Sequence, residues 1–95
     1  MVKIKYTEHL NLRLKIRKIP MEYPKDIYEG PEQKFFDNLE GTFIAIKKLN
    51  YNKKIRNMMV AYEEENGDVK IITIHPVTDE QIINRIMSKR WRKNG

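Results

Sequence analysis

Asn66-Gly67 stands between two stretches rich in apolar residues, Ile55–Glu63 and Asp68–His75. Both residues of the pair tolerate the positive φ that a two-residue hairpin turn demands, and few dipeptides do so as readily. The pair therefore commits the second half of the chain to antiparallel strands. Upstream, Thr42–Leu49 (TFIAIKKL) reads as a strand, Asn50–Lys53 as a polar turn, and Gln33–Leu39 as a weaker first strand closed by Glu40-Gly41. Downstream, the Val-Lys-Ile-Ile-Thr-Ile run before His75 reads as a strand buried on both faces, and Pro76 closes it.

The first half carries other signals. Val2–Tyr6 (VKIKY) alternates apolar and cationic residues like a short strand, and Thr7 follows as an N-cap. From Glu8 to Ile19, Leu10, Leu12, Leu14 and Ile16 alternate with period two, while Leu12, Ile16 and Ile19 fall at helical spacing, with Leu10 and Leu14 widening the stripe. Length, good helix formers and the cap favour the helix. Met21–Glu29 reads as a second helix with Pro24 in its first turn and Gly30-Pro31 as its stop. Thr78-Asp79-Glu80-Gln81 is a capping box opening a helix that runs to about Arg92, with Ile82, Ile83, Ile86 and Met87 as its stripe and an end fraying at Gly95. The fold class expected is α+β: an N-terminal strand and two helices packed on a four-stranded antiparallel sheet, plus a C-terminal helix. The whole of residues 1–95 forms one domain, a core at about 2–76 and a basic C-terminal helix at about 78–92.

Composition bounds the chemistry. The absence of cysteine excludes disulfides, thiolate metal sites and cysteine nucleophiles. No P-loop, G-x-G-x-x-G, H-E-x-x-H or G-x-S-x-G occurs, and two histidines without cysteine make a poor metal site, so neither metal nor cofactor is expected. No apolar run reaches membrane-spanning length and no apolar leader follows Met1, which makes the cytoplasm the expected location. Nineteen Lys+Arg against thirteen Asp+Glu leave a net charge of +6, which points to a polyanionic partner. One basic cluster is Lys47, Lys48, Lys53, Lys54 and Arg56; the other is Arg85, Lys89, Arg90, Arg92 and Lys93, in a stretch from Gln81 onward that has no acid. Segregation of this kind is what one positive face requires.

His9 and Arg13 lie four apart and share a helix face, which Arg17 extends. Thr73 and His75 lie two apart on the last strand and project to one side, with Ile72 and Ile74 assigned to the other. Histidine, arginine and hydroxyl groups at a sheet edge fit metal-free RNA cleavage. That reaction needs a base for the 2′-hydroxyl, an acid for the leaving 5′-oxygen and cations on the phosphate. Each residue also has a plain structural role: His9 as a surface residue, His75 as a turn filler, the arginines as solvated helix positions, and Trp91 with the tyrosines as core or rim aromatics.

Taken together, His9, Arg13 and Arg17, Lys18-Ile19-Pro20, the Tyr23–Tyr28 segment, Gly30-Pro31-Glu32, the Gly41 turn and Val69–Pro76 resemble small prokaryotic domains of the RelE-like toxin kind. These belong to the broad barnase–EndoU–colicin–RelE nuclease fold. The resemblance implies an RNA-cleaving site on the open face of the sheet and a small antitoxin that covers the basic surface. Carried over to matching positions, it implies His75, His9, Arg13 and Thr73 as catalytic residues. RNA-binding residues would be Lys47, Lys48, Lys53, Lys54, Arg56, Arg85, Lys89 and Arg90. Two other functions fit the same residues: a non-catalytic nucleic-acid-binding module, and a protein-interaction domain whose positive face meets an acidic partner.

Overall fold

The computed structural model describes residues 2–94 and orders its elements as β1 (Ile4–Tyr6), α1 (Glu8–Arg17), α2 (Tyr23–Glu29), β2 (Gln33–Asp37), β3 (Thr42–Tyr51), β4 (Lys54–Glu65), β5 (Asp68–Pro76), α3 (Asp79–Met87) and β6 (Trp91–Lys93). The expected α+β mixture is present, but the four-stranded antiparallel sheet is not. The strands form one six-stranded mixed sheet in the order β1-β5-β4-β3-β2-β6.

The meander β2–β5 is antiparallel throughout, and a strand joins it at each end. β1 lies parallel to β5, with Ile4 opposite Val69 and Tyr6 opposite Ile71. The edge of β5 carries amides that need acceptors, and the Val69 N–H donates to the Lys3 carbonyl at 2.9 Å. At the far end β6 pairs antiparallel with β2. The C-terminal helix therefore stops at Met87 instead of running to about Arg92. Trp91 is nine positions beyond Ile82, about two and a half helical turns, so a continued helix would aim it away from the core that Ile82 enters. The chain instead leaves the helix through Lys89 at φ 63°, and Trp91 is buried as the first residue of β6. Gly95, the end expected to fray, lies outside the described residues, whereas Arg92 and Lys93 are held in β6.

Two hairpins use left-handed residue pairs. Asn66-Gly67 turns β4 into β5 at φ 53° and 82°, and Asn52-Lys53 turns β3 into β4 at φ 54° and 62° without a glycine. Both pairs match the twist of their flanking strands.

Each face of the sheet has its own core. On one, Leu10 and Leu14 of α1 and Ile27 of α2 pack with Ala45, Met58, Val60, Ile71 and Ile74. On the other, Ile82 of α3 packs with Phe35, Ile44, Ile46, Met59, Ala61 and Trp91. The apolar stripes are narrower than the sequence patterns implied. Leu12 and Ile16 are exposed, because α1 turns only its Leu10–Leu14 row to the sheet. On α3, Ile83, Ile86 and Met87 are exposed and Ile82 alone is buried. The N-cap and the capping box hold: Thr7 Oγ1 accepts from the Leu10 amide, and Thr78 and Gln81 exchange hydrogen bonds. No helix among the described residues is long and apolar enough to cross a membrane.

Candidate functional site

On the α3 face of the sheet lies a cleft of about 450 Å³. Its floor is apolar, formed by Ile44, Met59 and Ala61. Thr73, His75 and Pro76 line it from β5, Gln81 and Arg85 from α3, and Asp37, Arg90 and Trp91 from the β2–β6 end. Strand alternation explains the floor: Met59 and Ala61 face one way, while Met58 and Val60 serve the opposite core.

Thr73 and His75 reach this face because β5 carries a bulge. Tyr62 pairs with Ile71 and the adjacent Ala61 pairs with Thr73, so Ile72 is the extra residue. The bulge puts Ile71 and Ile74 into the α1 core. It also corrects the placement of Ile72: simple alternation puts it on the face opposite Thr73, whereas it lines the cleft beside Thr73. At the same point Thr7 takes the chain off the β5 edge, its amide and hydroxyl donating to the Ile71 and Ile72 carbonyls at 3.2 and 3.1 Å. Beyond Ile72, α1 runs along β5 where β1 would otherwise continue.

His75 is half-buried, and its Nδ1 sits 3.0 Å from the Pro76 carbonyl oxygen. A carbonyl only accepts, so Nδ1 carries the proton in this contact and the neutral ring keeps its lone pair on Nε2. Burial pushes the His75 pKa below the ordinary histidine value of 6.5; the Pro76 carbonyl pulls it up, and the charges of Arg17, Arg13 and Arg85 lower it further. The imidazole is thus neutral at neutral pH in a field set by guanidinium groups from two helices. Arg85 lies over the Trp91 ring, 5.9 Å from its centroid, and makes no ion pair among the described residues.

The β2–β6 end of the cleft is organised by Asp37, which is 3% exposed. Its carboxylate accepts from the Leu39 and Glu40 amides at 2.9 and 3.0 Å, from the Trp91 indole at 3.2 Å and from Arg90 at 3.2 Å. Burial by itself would raise the pKa of Asp37, but the Glu40 amide, the Arg90 guanidinium, the Leu39 amide and the Trp91 indole together hold it below the usual 3.8.

The structure thus brings Thr73, His75, Arg85 and Arg90 to one cleft and leaves His9 off its lining. Arg13 donates from Nε to His9 Nε2 at 3.4 Å on the exposed side of α1 and acts on His75 through its charge. The charge of Arg90 is met by Asp37, and Lys89 occupies the turn after α3, where its carbonyl accepts from Asn38 Nδ2 at 3.0 Å. The other basic cluster is elsewhere. Lys53 forms the β3–β4 tip, six positions from Met59, so about 20 Å of extended strand separates it from the cleft floor. Lys47 and Lys48 lie on opposite faces of β3, and Arg56 donates to the Tyr51 carbonyl at 2.9 Å. Among the described residues no group of three His, Asp or Glu side chains is placed to hold a metal ion.

Asp37 is a cleft residue that the pattern of the sequence does not single out, and Trp91, expected as a core or rim aromatic, lines the cleft beside it. The local part of the signal is an Asx turn, Asp37 bonding the amides two and three residues on; the partners Arg90 and Trp91 are more than fifty positions away.

Comparison of the chain with family models, with curated proteins and with solved structures gave no match.

Proposed function

We propose that the cleft binds an RNA phosphodiester and that the chain is a metal-independent endoribonuclease of the toxin kind, its basic surface covered by a small antitoxin when at rest. The observation that carries this reading is His75: a neutral imidazole on a cleft, oriented through Nδ1 by the Pro76 carbonyl, with the charges of Arg17, Arg13 and Arg85 acting on it. In this reading Nε2 takes the proton of a 2′-hydroxyl as its oxygen attacks phosphorus, and the 5′-oxygen leaves as its bond to phosphorus breaks, taking a proton from water. Arg85 meets the charge that develops on the non-bridging oxygens, and Thr73 donates to the phosphate. His9 steadies Arg13 and does not touch the reacting atoms. Lys47, Lys48, Lys53, Lys54 and Arg56, remote from the cleft, hold phosphates further along the strand.

A bound phosphate offsets the arginine charges that now disfavour the imidazolium. RNA binding should therefore raise the pKa of His75, which a titration of its ring proton resonance reads directly. Purified protein should cleave RNA in the presence of EDTA. His75→Ala should lower the rate about 10²–10⁴-fold while the circular dichroism spectrum is retained. Binding should weaken with salt, with a slope of about −0.7 per phosphate contacted on single strands. Full cleavage by a folded His75→Ala variant would overturn the assignment. Salt-dependent RNA binding without cleavage by the unaltered protein would leave a non-catalytic binding module.

A further inference from the structure

Tyr51 joins two basic segments that lie far apart in the sequence. Its hydroxyl donates to the Arg17 carbonyl at the end of α1 at 2.7 Å, and its own carbonyl accepts from Arg56 Nε at 2.9 Å. Alternation along β4 puts Lys54 and Arg56 on the face of Met58, the face that α1 covers. The β3–β4 hairpin and the last turn of α1 therefore meet at one end of the sheet, where Lys18 follows as the left-handed cap of the helix.

α1 also reaches back toward the cleft. It runs along β5, and the charges of Arg17 and Arg13 act on His75 across the edge of that strand. His75 opposes Met59, and Arg56 lies three positions before Met59 on β4, about 10 Å of extended chain. Lys54 lies two positions further, about 17 Å from the His75 row. A line of cations thus leads from His75 past Arg13 and Arg17 to Arg56 and Lys54, rounding the end of β5 at Pro76.

Arg13, Arg17 and Arg56 are half-buried, and His9 and the Tyr51 carbonyl hold the first and the last through Nε. None of Arg13, Arg17, Lys18, Lys54 and Arg56 makes an ion pair among the described residues. The acids close to them in the fold are engaged elsewhere. Glu22 acts on Tyr6 of β1, Asp79 accepts from Asn57 Nδ2 at 2.7 Å on the opposite face of β4, and Glu8 sits in the far turn of α1. Guanidinium groups held in place match phosphate oxygens and lose little freedom on binding. A line made of cations lacks the charge-depleted core of a protein interface, and Leu12 and Ile16 lie on the outer side of α1, away from the sheet. A nucleic-acid duplex, with a persistence length of about 150 base pairs for DNA, is too stiff to turn from one face of the sheet to the other, whereas a single strand can.

We propose that this line is a phosphate-binding track for single-stranded RNA, which continues the strand held in the cleft around the end of β5 onto the α1 face. The inference rests on the reading of the cleft as an RNA site and adds how far the substrate extends. Arg17, Arg56 and Lys54 each take a phosphate, so a strand of several nucleotides binds more tightly than a dinucleotide.

Fluorescence anisotropy with labelled 2′-O-methyl oligouridylates measures this without cleavage, because the methyl group blocks the nucleophile. Binding should tighten at least about ten-fold between two and six nucleotides. Arg17→Gln, Arg56→Gln and Lys54→Gln should each lower the salt slope for the six-nucleotide strand by about 0.7. Lys54 is exposed, so its variant carries the test even where an arginine change disturbs folding. Lys70→Gln, at the other end of β5, should leave the slope unchanged. A slope unmoved by all three changes, or an affinity that does not grow with length, would overturn the track. An RNA duplex of six base pairs that binds as tightly as the single strand would overturn it too. Binding of an acidic peptide without binding of the oligonucleotide would give the surface to a protein partner instead. If unmodified RNA is not cleaved but the slopes fall as stated, the catalytic reading of the cleft fails and the track stands.

Discussion

Replacing Asp37 by alanine tests how the β2–β6 wall of the cleft is held together. The Leu39 and Glu40 amides that bond Asp37 belong to an exposed turn and can be rehydrated when the carboxylate is removed. The Trp91 indole cannot: its residue is 4% exposed, and an orphaned buried donor costs about 1–3 kcal/mol. Arg90 keeps 27% side-chain exposure and a more distant acid, Glu40 at 4.0 Å, so solvent screening holds its loss to about 1 kcal/mol. The sum, with the lost turn, is about 3 kcal/mol, at the lower end of what breaking a buried ion pair costs. On a domain this size each 1 kcal/mol moves the melting temperature by about 4–8 °C, so a drop of more than about 12 °C is expected. Urea unfolding at unchanged m-value is the cleaner assay, and a double-mutant cycle with Arg90→Met should show coupling of at least about 1 kcal/mol. The pH dependence has a defined sign. Because the folded-state pKa of Asp37 is depressed, its contribution is complete above the ordinary carboxylate value of 3.8 and is lost as pH falls through the folded value. Asp37→Ala should flatten that acid limb. A loss below about 1 kcal/mol would refute the claim that this carboxylate organises the wall.

His75 gives the second pH signature. Its folded-state pKa lies below 6.5, so the unfolded chain binds more protons and stability falls as pH drops below that value toward the folded one; His75→Gln should remove this slope from denaturation curves collected between about pH 7 and pH 5. Gly67→Ala meets no atom within 4 Å of the new Cβ, yet φ is +82°, so a loss of about 1–2 kcal/mol from the left-handed backbone is expected in chemical denaturation. Leu10→Ala should cost about 2–5 kcal/mol and Leu12→Ala less than about 0.5, since the first residue is fully buried and the second 54% exposed; equal losses in urea melts would contradict the assigned face of α1.

The sheet supports helices unequally on its two faces, and that asymmetry leaves room for the cleft. α1 and α2 share one core, while α3 alone contributes a helix to the other and leaves the cleft on one flank. The cleft is where charge and a titratable ring meet.

Local order was legible in the residues because its causes are local. Asn66-Gly67 specifies a turn through its own φ preferences, and Thr7 and Thr78 cap helices through side chains that reach only three residues ahead. The alternation of Met58, Met59, Val60 and Ala61 already divides β4 between two faces. What the pattern could not contain was decided by contacts between distant positions. β1 became a sheet strand because β5 offered an unpaired edge sixty-six positions away, where Lys3 and Val69 meet. The bulge that places Ile72 on the cleft depends on which β4 residue each β5 residue opposes. Leu12 and Leu10 are chemically alike, and only the docking angle of α1 separates the exposed one from the buried one. At the C-terminus the helical pattern yielded to one side chain. The indole of Trp91 gains burial against Phe35 and a bond to Asp37 only if the chain leaves the helix and pairs with β2, and no periodicity within α3 carries that information.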